Sequence, residues 1–183
     1  MFQQMFMLAN DGLAPGLPAE IVRLGLLVAS FVALLLFAML LLTNRRTPRW
    51  RLWGPVVIIL LLWLLGVTLL AVRFQLPAQE TLAAADNLAR YSIGIPAALL
   101  GAWALMAQQR IFREHDMSQF GRDLVWAAAA LLLYGVVGQL FVRETVLAPS
   151  HWLNEANFHA WFGFPVQIFR AVMAAALTFF LVR

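Results

Sequence analysis

The sequence predicts an all-α integral membrane protein, a bundle of about five transmembrane helices. Three observations carry this. The 183 residues are 63% hydrophobic and only 12% charged, which places the chain in the membrane class rather than among soluble single-core domains. Five apolar stretches reach the roughly 20 residues needed to cross a hydrocarbon core of about 30 Å. The basic residues, all of them Arg, concentrate in the connections and at the ends of these stretches.

Met1 to Glu20 holds no basic residue ahead of an apolar stretch that is too long for the core of a signal peptide, so the first stretch, 21–43, reads as a retained span. The others fall at 53–73, 91–109, 124–142 and 162–182. Arg45, Arg46, Arg49 and Arg51 lie between the first two spans, and Arg110, Arg113 and Arg122 between the third and fourth. By the positive-inside rule both connections face the cytoplasm. With Arg183 this puts eight of the 13 basic residues inside, against Arg23, Arg73, Arg90 and Arg143 outside, with Arg170 within the fifth span. The N-terminus is therefore expected outside and the C-terminus in the cytoplasm. The external connections, 74–90 and 143–161, are too short to bury a core of their own, and residues 1–183 read as a single transmembrane domain. The aromatic and polar mixture of 149–161 suits a short external helix lying at the headgroup level. Pro77 to Arg90 fits the same role less strongly.

Composition also narrows chemistry. With no Cys there is no disulfide, thiolate metal site or cysteine nucleophile. The net charge of +4 is accounted for by topology, so nucleic acid is not an expected partner. No phosphate-binding Gly-rich loop, HExxH or Ser/His/Asp set occurs, and the chain carries no catalytic motif. Arg113-Glu-His-Asp116 reads as a solvated loop, because it runs straight into span four and leaves no room for a phosphoacceptor helix hairpin.

The candidate ligand-binding residues gather at the external end. Arg170, about eight residues into span five, must face protein or snorkel, since a charge in lipid is costly. Gln167 is almost one turn earlier and Gln139 lies near the outer end of span four, so the three are expected to meet, with Glu144 or Glu155 neutralising the guanidinium. Such a cluster either binds a small polar or quinone-like group or acts as interhelical hydrogen-bond glue. His151, Glu155 and His159 are spaced to share a helix face, on which Glu155 reaches either imidazole. The two His would stand about 12 Å apart along the axis, too far to hold one metal. No metal is therefore expected, and the solvated face of an interfacial helix is the simpler reading. The sequence names no cofactor, and haem ligation would require His159 or His151 to fold inward.

Gly94, Ala97, Ala98 and Gly101 form a small-residue stripe on span three, and Ala127 to Ala130 with Gly135 and Gly138 thin span four. These read as close-packing surfaces, and Trp126 and Tyr134 as packing aromatics. Gly94-Ile-Pro96 and Gly163-Phe-Pro165 open the third and fifth spans alike, which reads as helix-start chemistry rather than a duplication.

The second half carries further words: Ala89-Arg-Tyr-Ser-Ile-Gly-Ile-Pro-Ala-Ala-Leu-Leu-Gly-Ala-Trp-Ala-Leu105, Leu133-Tyr-Gly-Val-Val-Gly138, Leu153-Asn-Glu155 and Gly163-Phe-Pro-Val-Gln-Ile-Phe-Arg-Ala171. Together, over roughly residues 85–183, they resemble the N-terminal membrane-sensor region of bacterial sensor histidine kinases and related signalling proteins. The resemblance implies a location in the bacterial inner membrane and a cytoplasmic transmitter where Arg183 stands. This sequence contains no such transmitter, and the family's catalytic residues have no positions here.

Two functions are expected from these readings. One is a non-catalytic sensing module of a two-component-type system, responding to a small or lipidic ligand and working with a separate kinase-type module. The other is an accessory subunit of a multi-subunit electron-transfer or photosynthetic complex. The expected partners are the lipid bilayer and other membrane subunits or a second copy. A small transporter fits less well, because no midplane carboxylate or broken-helix pair is apparent.

Overall fold

A computed structural model describes residues 16–43, 50–114 and 118–183. The basic connector 44–49 and residues 115–117, including His115 and Asp116, lie outside the described residues. So do the side chains of Arg51, Arg110 and Arg113.

The described chain is helical, in the order α1 (Leu17–Leu42), α2 (Trp50–Phe74), α3 (Ala78–Ala89), α4 (Ile95–Glu114), α5 (Ser118–Leu132), α6 (Gly138–Leu140), α7 (Glu155–Phe162) and α8 (Val166–Val182). A π turn at Arg90–Gly94 makes α3 and α4 one continuous rod, and a second at Leu133–Val137 does the same for α5 and α6. Four helices are long and apolar enough to cross a membrane, and α7 with α8, bent by 81°, meets the same length and composition only when the pair is taken together. The expected all-α bundle is present.

Boundaries differ where polar sequence is nonetheless helical. The third apolar stretch is the inner part of a 32-residue helix, Ala78–Gln109. That helix is about 48 Å long at 1.5 Å per residue, some 18 Å more than a hydrocarbon core. Residues 78–89 are mostly Ala and Leu with scattered polar residues, a mixture that favours a helix without being apolar enough to count as a span. They project along the span's axis rather than forming a separate interfacial helix. In the segment 149–161, only the part from Glu155 is helical. Asn154 caps it, its side chain accepting from the Asn157 N–H at 2.8 Å.

The first π turn has a cause in the sequence. Pro96 has no N–H to give Ser92, and its ring crowds that carbonyl, so the ladder slips just ahead of it. Gly163, with φ +78° at the C-terminus of α7, instead takes the left-handed conformation and its N–H closes on the His159 carbonyl at 2.8 Å. The two Gly-apolar-Pro words therefore adopt different structures: Gly163-Phe-Pro165 does precede a helix start, whereas Gly94-Ile-Pro96 lies inside a continuous helix and is not the helix start expected of it.

Packing proceeds as a row, with α1 on α4, α4 on α5 and α5 on α8, while α2 leans on α1 and α3 at one edge. The seams are made of small residues. Ala98, Ala102 and Leu105 of α4 meet Ala127, Ala128 and Leu131 of α5, and Ala97 meets Leu35 and Val56. Such close backbone approach supplies the dispersion contacts by which apolar helices hold together where lipid removes the hydrophobic driving force. Gly135 of the second π turn sits against Ala98 so closely that a methyl group on it would overlap the Ala98 side chain. The small-residue stripes are close-packing surfaces, as the sequence indicates. Outward faces are apolar, with Leu61, Leu62, Leu65 and Leu69 of α2 all exposed. Trp126 is exposed as well, yet it stacks on Phe180 of α8 at 6.2 Å.

Replacing Gly135 with Val should cost about 1–3 kcal/mol, the usual penalty of forcing atoms into a filled seam. Pairing it with Ala98→Gly should recover part of that loss, because the two positions share the same space. Thermal unfolding of the four proteins in detergent gives the comparison, and additive losses would disprove the contact.

Candidate functional site

One end of the row collects the buried polar groups, where the N-terminus of α1, the C-terminus of α2, α3, the end of α6 and the start of α8 come together. The demand comes from α6. A helix that stops at Leu140 leaves its last carbonyls without intrahelical donors, and in an apolar setting each must find another. Arg170 supplies two: Nε donates to the Gly138 carbonyl at 2.7 Å and Nη2 to that of Phe141 at 2.6 Å. The Tyr91 hydroxyl donates to the Leu140 carbonyl at 3.3 Å. Two positive side chains at a helix C-terminus also oppose the negative end of its dipole.

The second positive charge is Arg90. It is 7% exposed and is the first residue of the π turn. Its Nε and Nη2 grip the Asp86 carboxylate at 2.9 and 3.3 Å, and its Nη1 donates to Gln139 Oε1 at 2.6 Å. The fork geometry suits a carboxylate, and Gln139, 1% exposed, is satisfied only by reaching across to the neighbouring rod. Asn87, fully buried one position after Asp86, donates to the Arg143 carbonyl and to Thr145 Oγ1, both at 2.8 Å. It thereby fastens α3 to the connector that follows α6. Ser150, also fully buried, accepts from the Thr145 N–H at 3.0 Å and donates to the Leu147 carbonyl at 2.6 Å, so that connector satisfies its own backbone. Beneath it Phe141, Phe158 and Val166 form a small apolar core.

The residues singled out from the sequence separate in this arrangement. Arg170 is central, but it is only the fifth residue of α8, about 6 Å from the helix start rather than 12 Å down a longer span. Glu155 does neutralise it, at 3.8 Å and with its side chain 41% exposed. Gln139 belongs to the same end, although its partner is Arg90 and not Arg170. Gln167 is exposed and takes no part. The shared helix face of His151, Glu155 and His159 does not exist, because α7 begins at Glu155 and His151 precedes its cap. His151 instead pairs with Glu144 at 3.3 Å on the exposed surface, and His159 is exposed as well. Among the described residues no three His, Asp or Glu side chains converge as a metal site would require.

Arg90, Asp86, Asn87 and Tyr91 were not among the candidates. The acid-to-base spacing of four between Asp86 and Arg90 is a readable signal of a helical ion pair. It is hidden because the apolar window opens only at residue 91. Chemically the assembly holds fixed positive charge against carbonyls, an amide and carboxylates, a set suited to binding or to latching helices together.

No family model matches the chain, and no curated protein or solved structure matches it.

Removing the Asp86 carboxylate by Asp86→Ala strands a buried guanidinium and should cost as much as about 3–5 kcal/mol. The double change Asp86→Leu with Arg90→Met should recover most of that, since matched apolar side chains need no partner. Arg170→Leu, which orphans two carbonyls, should cost about 1–3 kcal/mol. Glu155→Gln should cost less than about 1 kcal/mol, because a half-exposed pair at this distance is screened. Detergent unfolding ranks the four, and equal losses for Arg170→Leu and Glu155→Gln would contradict the carbonyl bonds.

Proposed function

We propose that the chain is a non-catalytic sensing module of the bacterial inner membrane. Its N-terminus is outside and its C-terminus cytoplasmic, and the state of the polar outer end sets the position of α8. The observation that carries this reading is the attachment of α8. Its first turns are tied to the end of α6 by Arg170, whose bonds go to main-chain carbonyls, while the rest of α8 packs chiefly on α5. A small or lipidic ligand that alters the Arg90, Asp86 and Gln139 network changes the geometry of the α6 end, and with it the seat of Arg170. Making or breaking one such bond is worth about 1 kcal/mol net, enough to shift a two-state equilibrium roughly fivefold. Only a ligand that binds the two helix arrangements differently produces such a shift. A kinase-type module at the cytoplasmic end of α8 would receive it.

The second reading, an accessory subunit of a multi-subunit electron-transfer or photosynthetic complex, draws on α2. Only 6% of its apolar window is buried, so a long face is open to lipid or to another subunit. Purification from native membranes in mild detergent, followed by native mass spectrometry, separates the two. Recovery alone or as a homodimer supports sensing, whereas a stoichiometric set of other subunits or pigments supports assembly.

The coupling can be read directly. Because the chain has no Cys, Met106→Cys and Val182→Cys, both at exposed positions, accept spin labels specifically. Arg170→Leu in this background should move the label-to-label distance by about 1–2 Å, the scale of helix shifts in switching proteins. An unchanged distance distribution would remove the latch from the signalling argument. Orientation has its own check: a thiol at Ala148→Cys should react in intact cells with a reagent that cannot cross the membrane.

A further inference from the structure

Beside the buried network, a cleft opens between the first turns of α1, the outer face of α3 and the connector after α6. Glu20, Arg23 and Leu24 line it from α1, Gln79, Leu82, Ala83 and Asp86 from α3, and Arg143 from the connector. Three separate elements thus contribute ionisable groups of both signs. Asp86 is the wall shared with the network, its two oxygens held by Arg90 from within. Each carboxylate oxygen has capacity for a second donor, so Asp86 can accept from the cleft while keeping Arg90. Once Asp86 is counted with Arg90, the lining is left with two guanidinium groups and one carboxylate, and none of Glu20, Arg23 and Arg143 is ion-paired among the described residues.

We propose that this cleft binds a compact zwitterion. Its carboxylate or phosphate lies between Arg23 and Arg143, and its ammonium lies between Glu20 and the outward side of Asp86. Guanidinium forks match the planar or tetrahedral oxyanion, and an ammonium with three donors matches two carboxylates. One water needs ~10–15 Å³ by this measure, so the cleft's 70 Å³ takes a group of about five non-hydrogen atoms. That is the size of a free amino acid's charged end or of the exposed end of a phosphoethanolamine headgroup. Occupancy joins α1, α3 and the connector at one point and places a new cation on the carboxylate that holds Arg90. This deepens the sensing reading and rests on it for its consequence, while the binding itself stands apart.

The test uses the full chain in nanodiscs of phosphatidylglycerol, titrated with glycine and with O-phosphoethanolamine while unfolding temperature is followed. Parallel discs contain phosphatidylethanolamine, and native mass spectrometry reads which lipid is retained. The expected result is a saturable rise in unfolding temperature with a free zwitterion, or preferential retention of phosphatidylethanolamine. The first outcome identifies a soluble ligand and the second a lipid headgroup. Arg143→Gln and Glu20→Gln, each outside the buried network, should weaken that binding at least tenfold while leaving the ligand-free unfolding temperature near that of the wild type. The proposal is overturned if neither free zwitterion binds and the two lipids are retained alike, or if both variants bind as the wild type does. Binding without movement of the labels at residues 106 and 182 would leave the cleft standing and sink the sensing reading. Movement on Arg170→Leu without any zwitterion binding would do the reverse.

Discussion

A helix that ends inside an apolar environment must find donors for its last carbonyls, and the stop at Leu140 sets that demand for this protein. Everything around it answers the same requirement. Arg170 comes from α8, Tyr91 and Arg90 come from the rod formed by α3 and α4, and Gln139 turns its own side chain toward Arg90. Each donor carries a cost of burial that is offset only by its partners. Arg90 needs Asp86, and Arg170 draws on Glu155. The short connector from residue 141 to 154 is held in place because Asn87 fastens it to α3. The polar end is therefore one system rather than a set of separate contacts.

The remainder of the bundle is organised by the opposite principle. Away from that end, the seams are filled by alanine and glycine, so helices meet backbone to backbone with few large buried side chains. Such surfaces give close approach without fixing every contact by a bulky residue. The row arrangement leaves α2 and α8 at the margins. Polar specificity is concentrated at one end of the molecule and close apolar packing along its length.

Much of this was legible in the sequence. Apolar length located the four helices long and apolar enough to cross a bilayer, and the bent α7–α8 pair, because a hydrocarbon core imposes a minimum run that composition reveals directly. The small-residue stripes on the third and fourth spans were readable for the same reason, and Gly135 against Ala98 is where they meet. Arg170 is conspicuous as a charge in an apolar segment, with Glu144 or Glu155 in reach to neutralise it; Glu155 takes that role and Glu144 pairs with His151. The site's other half was not legible. A hydropathy window sees Ala78 to Ala89 as a connection, although its residues favour helix, so the Asp86 and Arg90 pair fell outside any recognised element. The spacing of His151, Glu155 and His159 was read as a helix face because nothing in the spacing announces that Asn154 caps the helix after His151 has already passed.

The continuous rod from Ala78 to Glu114 has a mechanical consequence. Near Ala98 it meets Gly135 so closely that no methyl group fits between them. That contact divides it into an arm of about 30 Å on the Ala78 side and one of about 24 Å on the Glu114 side, at 1.5 Å per residue. The π turn at Arg90–Gly94 and Pro96 both lie in the longer arm, between Asp86 and that contact, so they form the joint at which a sideways pull on Asp86 would first be taken up.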